Sequence, residues 1–147
     1  MNSHEPIIIE KVFRTTPATI WQALTDKEIM KQWYFDLTEF KPEPGFEFRF
    51  EGGDECRTFI HICRVTEAIP ETKLAYTWQY EGYAGNSLVT FELQPEGENT
   101  RLKLTHSGLE TLPADEPALA KANFENGWNH IIGVSLRDFL VNEPVLK

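Results

Sequence analysis

Four histidines, two cysteines and a scatter of tyrosines and serines are the side chains of this chain that could do chemistry. The histidines, His4, His61, His106 and His130, show neither HxxxH nor HExxH spacing, so no metal site is expected. His106 is followed by Ser107, but neighbours on a strand point to opposite faces, so the pair is no catalytic dyad. GxSxG is absent, and Gly52-Gly53 sits in neither a GxGxxG nor a P-loop pattern, so it reads as a turn. Cys56 and Cys63 lack CxxC spacing and read as free, buried or half-buried thiols in a reduced, cytoplasmic setting. An enzyme would need an acid–base group of perturbed pKa in a pocket, and His106 is the one nominee. No catalytic residue is assigned on this basis, and no cofactor is expected.

The elements that must position these groups follow from pattern. Residues 6 to 14, PIIIEKVFR, are β-branched and aromatic and read as a strand. Thr16 before Pro17 is an N-cap signal for a short helix burying Ile20, Trp21 and Leu24. TDKE at 25 to 28 fits a capping box that opens a second short helix, with Ile29, Met30 and Trp33 as its buried face. A strand-rich middle comes next. Phe46, Phe48 and Phe50 alternate with Glu47, Arg49 and Glu51 before the hairpin turn at 52 to 54. The run 57 to 69 is apolar on both faces, so parity alone does not choose its inner side. Leu74, Tyr76, Trp78 and Tyr80 alternate in the next strand, then Val89, Phe91 and Leu93, then Leu102, Leu104 and His106. Short polar turns between these strands imply an antiparallel meander.

A loop with two prolines precedes a helix over roughly 117 to 142, ~39 Å long at 1.5 Å per residue. At 100° per residue, Phe124, Trp128, Ile131, Ile132, Ser135 and Phe139 share a stripe, with Leu136 at its edge. Gly127 borders the stripe, and Gly133, Asn126, His130 and Arg137 fall on the other side. Such a helix must lie on the sheet, which is expected to curl around it. The whole is an α+β fold in a single domain over residues 1–147.

The order strand, two short helices, antiparallel sheet and long carboxy-terminal helix resembles the helix-grip architecture of the START-like, or SRPBCC, superfamily, which also includes Bet-v-like proteins. The stretches TPATIWQALTDKEIMKQWY, FKPEPGFEFRFEG, RVTEAIPETKLAYTW, VTFELQPEGENTRLKLTHSGL and GWNHIIGVSLRDFL are similar to those of the family named after the activator of the heat-shock protein 90 ATPase. The resemblance spans about residues 7 to 142. It implies a cavity between sheet and helix that holds a lipid or other hydrophobic small molecule. Relatives include lipid carriers, aromatic polyketide cyclases and co-chaperone domains. Eukaryotic co-chaperones of the family carry a further amino-terminal domain, so a chaperone partner is not expected here.

A formal charge of -9 with no basic run argues against nucleic acid or anionic membrane as partner. No segment reaches the ~20 apolar residues of a membrane span, and the amino terminus lacks signal-peptide character. An edge strand leaves room for a homodimer. The expected ligand site is a small-hydrophobic-molecule pocket with aromatic walls Trp33, Phe48, Phe50, Trp78, Tyr80, Phe91 and Trp128. Ile131 adds to the wall. Ser135 and Gly127 leave a gap between helix and sheet, and Tyr76 or Tyr80, His106, Ser135 and His61 supply polarity. Asp36 and Glu39 fall near the expected mouth. A cyclase- or hydrolase-like enzyme using the same cavity, or a chaperone- or stress-linked protein-interaction module with an apolar outer patch, are the alternatives.

Overall fold

The computed structural model describes residues 6–33, 40–53, 58–83, 85–112 and 121–142. Strand β1 (Ile7–Phe13) leads into helices α1 (Pro17–Thr25) and α2 (Lys27–Trp33). Strands β2 (Glu47–Gly53), β3 (Thr58–Ile69), β4 (Lys73–Tyr80), β5 (Ser87–Glu96) and β6 (Asn99–Ser107) follow. They form one antiparallel sheet of order β1-β6-β5-β4-β3-β2. The last stretch comprises α3 (Lys121–His130), a π-helical turn (Ile131–Leu136) and α4 (Arg137–Asn142). The curved sheet with its carboxy-terminal helix is the helix-grip arrangement.

Thr16 caps α1 as its sequence signal says, its hydroxyl accepting from the Thr19 N–H at 3.2 Å. The second cap differs from the TDKE expectation by one residue. Asp26 accepts from the Glu28 N–H at 2.9 Å, while the Thr25 hydroxyl donates back to the Trp21 carbonyl at 2.7 Å. Thr25 still belongs to α1, so its side chain satisfies that helix and leaves the cap to the carboxylate that follows. The hairpin between β2 and β3 is present, but Gly52 and Gly53, expected in its turn, are the last residues of β2 and pair with Phe59 and Thr58. Residues 54–57, and with them Cys56, lie outside the described residues, as do Asp36, Glu39 and the start of the carboxy-terminal helix expected at 117.

The pleat sorts residues as the alternation requires. Phe48 and Phe50 of β2, Tyr76, Trp78 and Tyr80 of β4, Val89 and Phe91 of β5, and Leu102, Leu104 and His106 of β6 are all buried. In β3 the sheet selects Phe59, His61, Cys63 and Val65 for the inside, a choice that local pattern left open. A bulge between Val65 and Glu67 then shifts the register of β3 against β4.

The helix departs from its expected face. Trp128, Ile132 and Leu136 are at most 2% exposed, whereas Ile131 and Ser135 are only half-buried. Leu136, expected at the edge of the stripe, is central, and Ser135 is displaced from the centre. In an α-helix residues four apart drift about 40° per step. The i→i+5 bonding of the π turn widens each turn and cancels much of that drift, so 128, 132 and 136 stay in line. Gly127 is exposed, and a Cβ built there meets nothing within 4 Å, so it leaves no gap against the sheet. Gly133 instead faces Lys11 of β1, whose Cε would lie 3.7 Å from an added Cβ.

Candidate functional site

The inner surface is built from rings. Trp78 of β4 meets Trp128 of α3 edge to face at 5.4 Å, and Phe91 of β5 meets Trp128 at 6.1 Å. Phe50 of β2 lies 5.7 Å from Trp78 and stacks on His61 at 4.4 Å. Phe48 stacks beside Phe50 at 6.2 Å. Tyr80 is 5.6 Å from Phe59 and 6.3 Å from Phe124, which closes the series on the helix side. The sheet and α3 therefore bring together Phe48, Phe50, Trp78, Tyr80, Phe91, His106 and Trp128. Trp33 is held elsewhere: its indole donates to the Ala23 carbonyl of α1 at 3.0 Å. Ile131 and Ser135 sit one residue off the buried line of the helix.

A directed chain of hydrogen bonds runs through this surface. The Trp128 indole donates to His106 Nδ1 at 2.9 Å. An indole N–H only donates, so Nδ1 is unprotonated and His106 carries its proton on Nε2. That proton goes to Ser87 Oγ at 2.8 Å, and the Ser87 hydroxyl donates to the Trp78 carbonyl at 2.7 Å. His106 is wholly buried, and desolvation lowers its pKa to about 3. It is a neutral, doubly engaged histidine that ties α3 to β4, β5 and β6. His61 is neutral too, lowered to about 4 by burial although its ring bonds the Phe50 carbonyl at 3.3 Å. Burial pushes the Cys63 thiol up, so the described free cysteine is an inert core residue.

Ser87 was not among the sequence candidates. Its signal was its place two residues before Val89 on the inward parity of β5, directly opposite Trp78. Phe59 was hidden because β3 is apolar on both faces. Among the described residues no group of three His, Cys, Asp or Glu is arranged to hold a metal ion.

The outer face is different in kind. Glu10, Lys103, Glu92 and Lys73 stand opposite one another across β1, β6, β5 and β4, alternating in sign. Arg101 adds ion pairs to Glu10 at 3.1 Å and Glu96 at 2.6 Å. Glu10, Lys73, Glu92, Arg101 and Lys103 border an open depression of about 430 Å³, which is the charged surface of a twisted sheet and not part of the ring-lined interior. Of the large exposed apolar residues, Ile8 and Val12 flank Glu10 on β1, Ile69 ends β3 and Val134 lies on the carboxy-terminal helix. No helix among the described residues is long and apolar enough to cross a membrane.

Known structures share this architecture. DynU16, a protein in the dynemicin biosynthetic locus, aligns with a TM-score of 0.76 at 21% identity, over 94% of this chain and 48% of its own. This chain thus spans about half the length of that protein. A protein from Rhodobacter sphaeroides aligns with a TM-score of 0.75 at 26% identity, over 97% of this chain and 95% of its own. One from Rhizobium loti gives a TM-score of 0.80 at 18% identity, covering 92% and 96%. No curated protein matches the chain. The family model described as Activator of Hsp90 ATPase homolog 1-like protein matches residues 14–140, nearly all of the helix-grip fold, and the chain belongs to that family.

Proposed function

We propose that the protein binds a small hydrophobic or aromatic molecule between the concave face of the sheet and the carboxy-terminal helix, and holds it without chemical change. One observation carries this reading. The ring-lined surface runs from the fully buried Trp78–Trp128 contact out to rings that still touch solvent: Phe50, Phe59 and Tyr80 at 5–7% exposure and half-buried Phe124. An apolar surface continuous from core to solvent is where a ligand gains most by displacing water, at ~25 cal/mol per Å² of apolar area. Trp78, Phe91 and Trp128 form the floor of such a site. Membership of the family and the likeness in fold to a protein of the dynemicin biosynthetic locus support small-molecule handling.

The enzyme alternative loses its one nominee, because both nitrogens of His106 are engaged inside the protein. A protein-docking role has less support, since the outer face carries alternating charges where that role calls for an apolar patch. Thermal shift and native mass spectrometry against fatty acids, sterols, flavonoids and polyketides test the proposal. A binder raises the melting temperature as RT ln(1 + [L]/Kd) and adds its mass to the native ion. A panel in which no compound does either overturns it.

A further inference from the structure

The ligand-binding reading above is the basis for a narrower inference about which ligand the surface accepts. Its polar side chains are largely spent on one another. Trp128 serves His106, His106 serves Ser87, and Ser87 serves the Trp78 carbonyl. The Trp78 indole in turn donates to the Tyr80 hydroxyl oxygen at 2.8 Å. Because an indole N–H cannot accept, Tyr80 is the acceptor in that bond and its own proton is left over. Among the described residues no acceptor receives that proton, although Tyr80 is only 6% exposed. Its ring stands between Phe59, His61 and Phe124, at the end of the ring series that reaches solvent. Burial also holds the phenol in its neutral form.

The surroundings restrict charge as well. The buried residues of the inner surface among those described include no Lys, Arg, Asp or Glu, and its two histidines are neutral. A carboxylate placed there is desolvated with no cation to face, and an ammonium group finds no carboxylate. We propose that Tyr80 is the specificity-determining residue of the site, its hydroxyl donating to a carbonyl-type oxygen of an uncharged ligand whose apolar body lies against Phe50, Phe59 and Phe124. Such an oxygen completes the hydrogen bonding of a buried donor, which a hydrocarbon of the same shape leaves unmet.

The test uses three probes on one frame: 2-acetylnaphthalene, 2-ethylnaphthalene and 2-naphthoate. Each is titrated calorimetrically into the wild-type protein and Tyr80→Phe. Wild type should prefer the ketone to the hydrocarbon by about five- to tenfold, the value of one neutral hydrogen bond, and should bind the carboxylate most weakly. Tyr80→Phe should lose the ketone preference, binding 2-acetylnaphthalene and 2-ethylnaphthalene with equal affinity. Equal wild-type affinities for ketone and hydrocarbon, or a ketone preference that survives in Tyr80→Phe, overturns the role of Tyr80 and leaves ligand binding standing. Tightest binding of the carboxylate overturns the charge argument. Absence of binding by all three probes counts against the ligand-binding reading itself. Should Tyr80→Phe fail to fold once the Trp78 indole loses its acceptor, the wild-type ranking of the three probes decides alone.

Discussion

With Trp128 donating to Nδ1, His106 has one tautomer open to it, and the chain of donors that starts on the helix ends at the Trp78 carbonyl in the sheet. Each link leaves a buried polar atom satisfied, and no buried side-chain nitrogen or oxygen among the described residues lacks a partner. Removing one link is therefore costlier than the bond's net worth, because its partner stays behind in the interior. Trp128→Phe should lower unfolding free energy by about 2 kcal/mol or more, combining an unpaired Nδ1 with a smaller ring. Urea denaturation followed by circular dichroism measures it. A loss below about 0.5 kcal/mol would mean that the bond to His106 holds little of the helix to the sheet.

At the scale of elements, the carboxy-terminal helix is the informative one. Its two described glycines weaken it without serving the interior: Gly127 faces open space, and Gly133 lies beside the flexible stem of Lys11. Alanine at either position gains helix propensity at no steric cost that the structure imposes. Gly127→Ala should raise stability by about 0.4–1 kcal/mol, a rise of about 1–4 °C in melting temperature by calorimetry. A fall would reveal a conformational need at that position. Gly85, in the connection from β4 to β5, is the opposite case. Its φ of +102° suits glycine, and a Cβ there would collide with the backbone of Thr111, whose side chain bonds both backbone groups of Asn86. Gly85→Ala should cost at least about 1–3 kcal/mol in the same urea assay; a neutral outcome would show that the 3-10 turn at Leu109–Thr111 can move aside.

For the molecule as a whole, two buried neutral histidines limit acid stability. His61 and His106 have native pKa values near 4 and 3 against an unfolded value of 6.5. Below pH 6.5 the unfolded chain takes up protons that the native state refuses. Their contribution is thus complete above pH 6.5 and is lost as pH falls toward 4. The slope approaches about 1.4 kcal/mol per pH unit for each histidine. Urea midpoints measured from pH 7 to 4.5 should fall steeply, and His61→Phe should reduce the slope by about one proton. An unchanged slope in that variant would place the proton uptake elsewhere.

Much of this was written in local sequence. Alternation fixed the inner faces of β2, β4, β5 and β6, and Thr16–Pro17 fixed the start of α1, because these signals depend on neighbours within a few residues. The same signals brought out most of the aromatic surface, and the five family-like stretches brought out the architecture. Tertiary structure decided the rest. Only pairing with β2 and β4 turned Phe59 and His61 of β3 inward, and only the register of β4 against β5 set Ser87 opposite Trp78. The π turn, invisible to a 100° periodicity, exchanged Leu136 for Ser135 at the centre of the helix face, because the line from Trp128 to Leu136 is set by what the sheet offers to pack against. Residue types determined that the interior would be aromatic and uncharged. Which hydroxyl kept a spare proton depended on donors from distant strands and a helix meeting in one place, and no local pattern encodes that meeting.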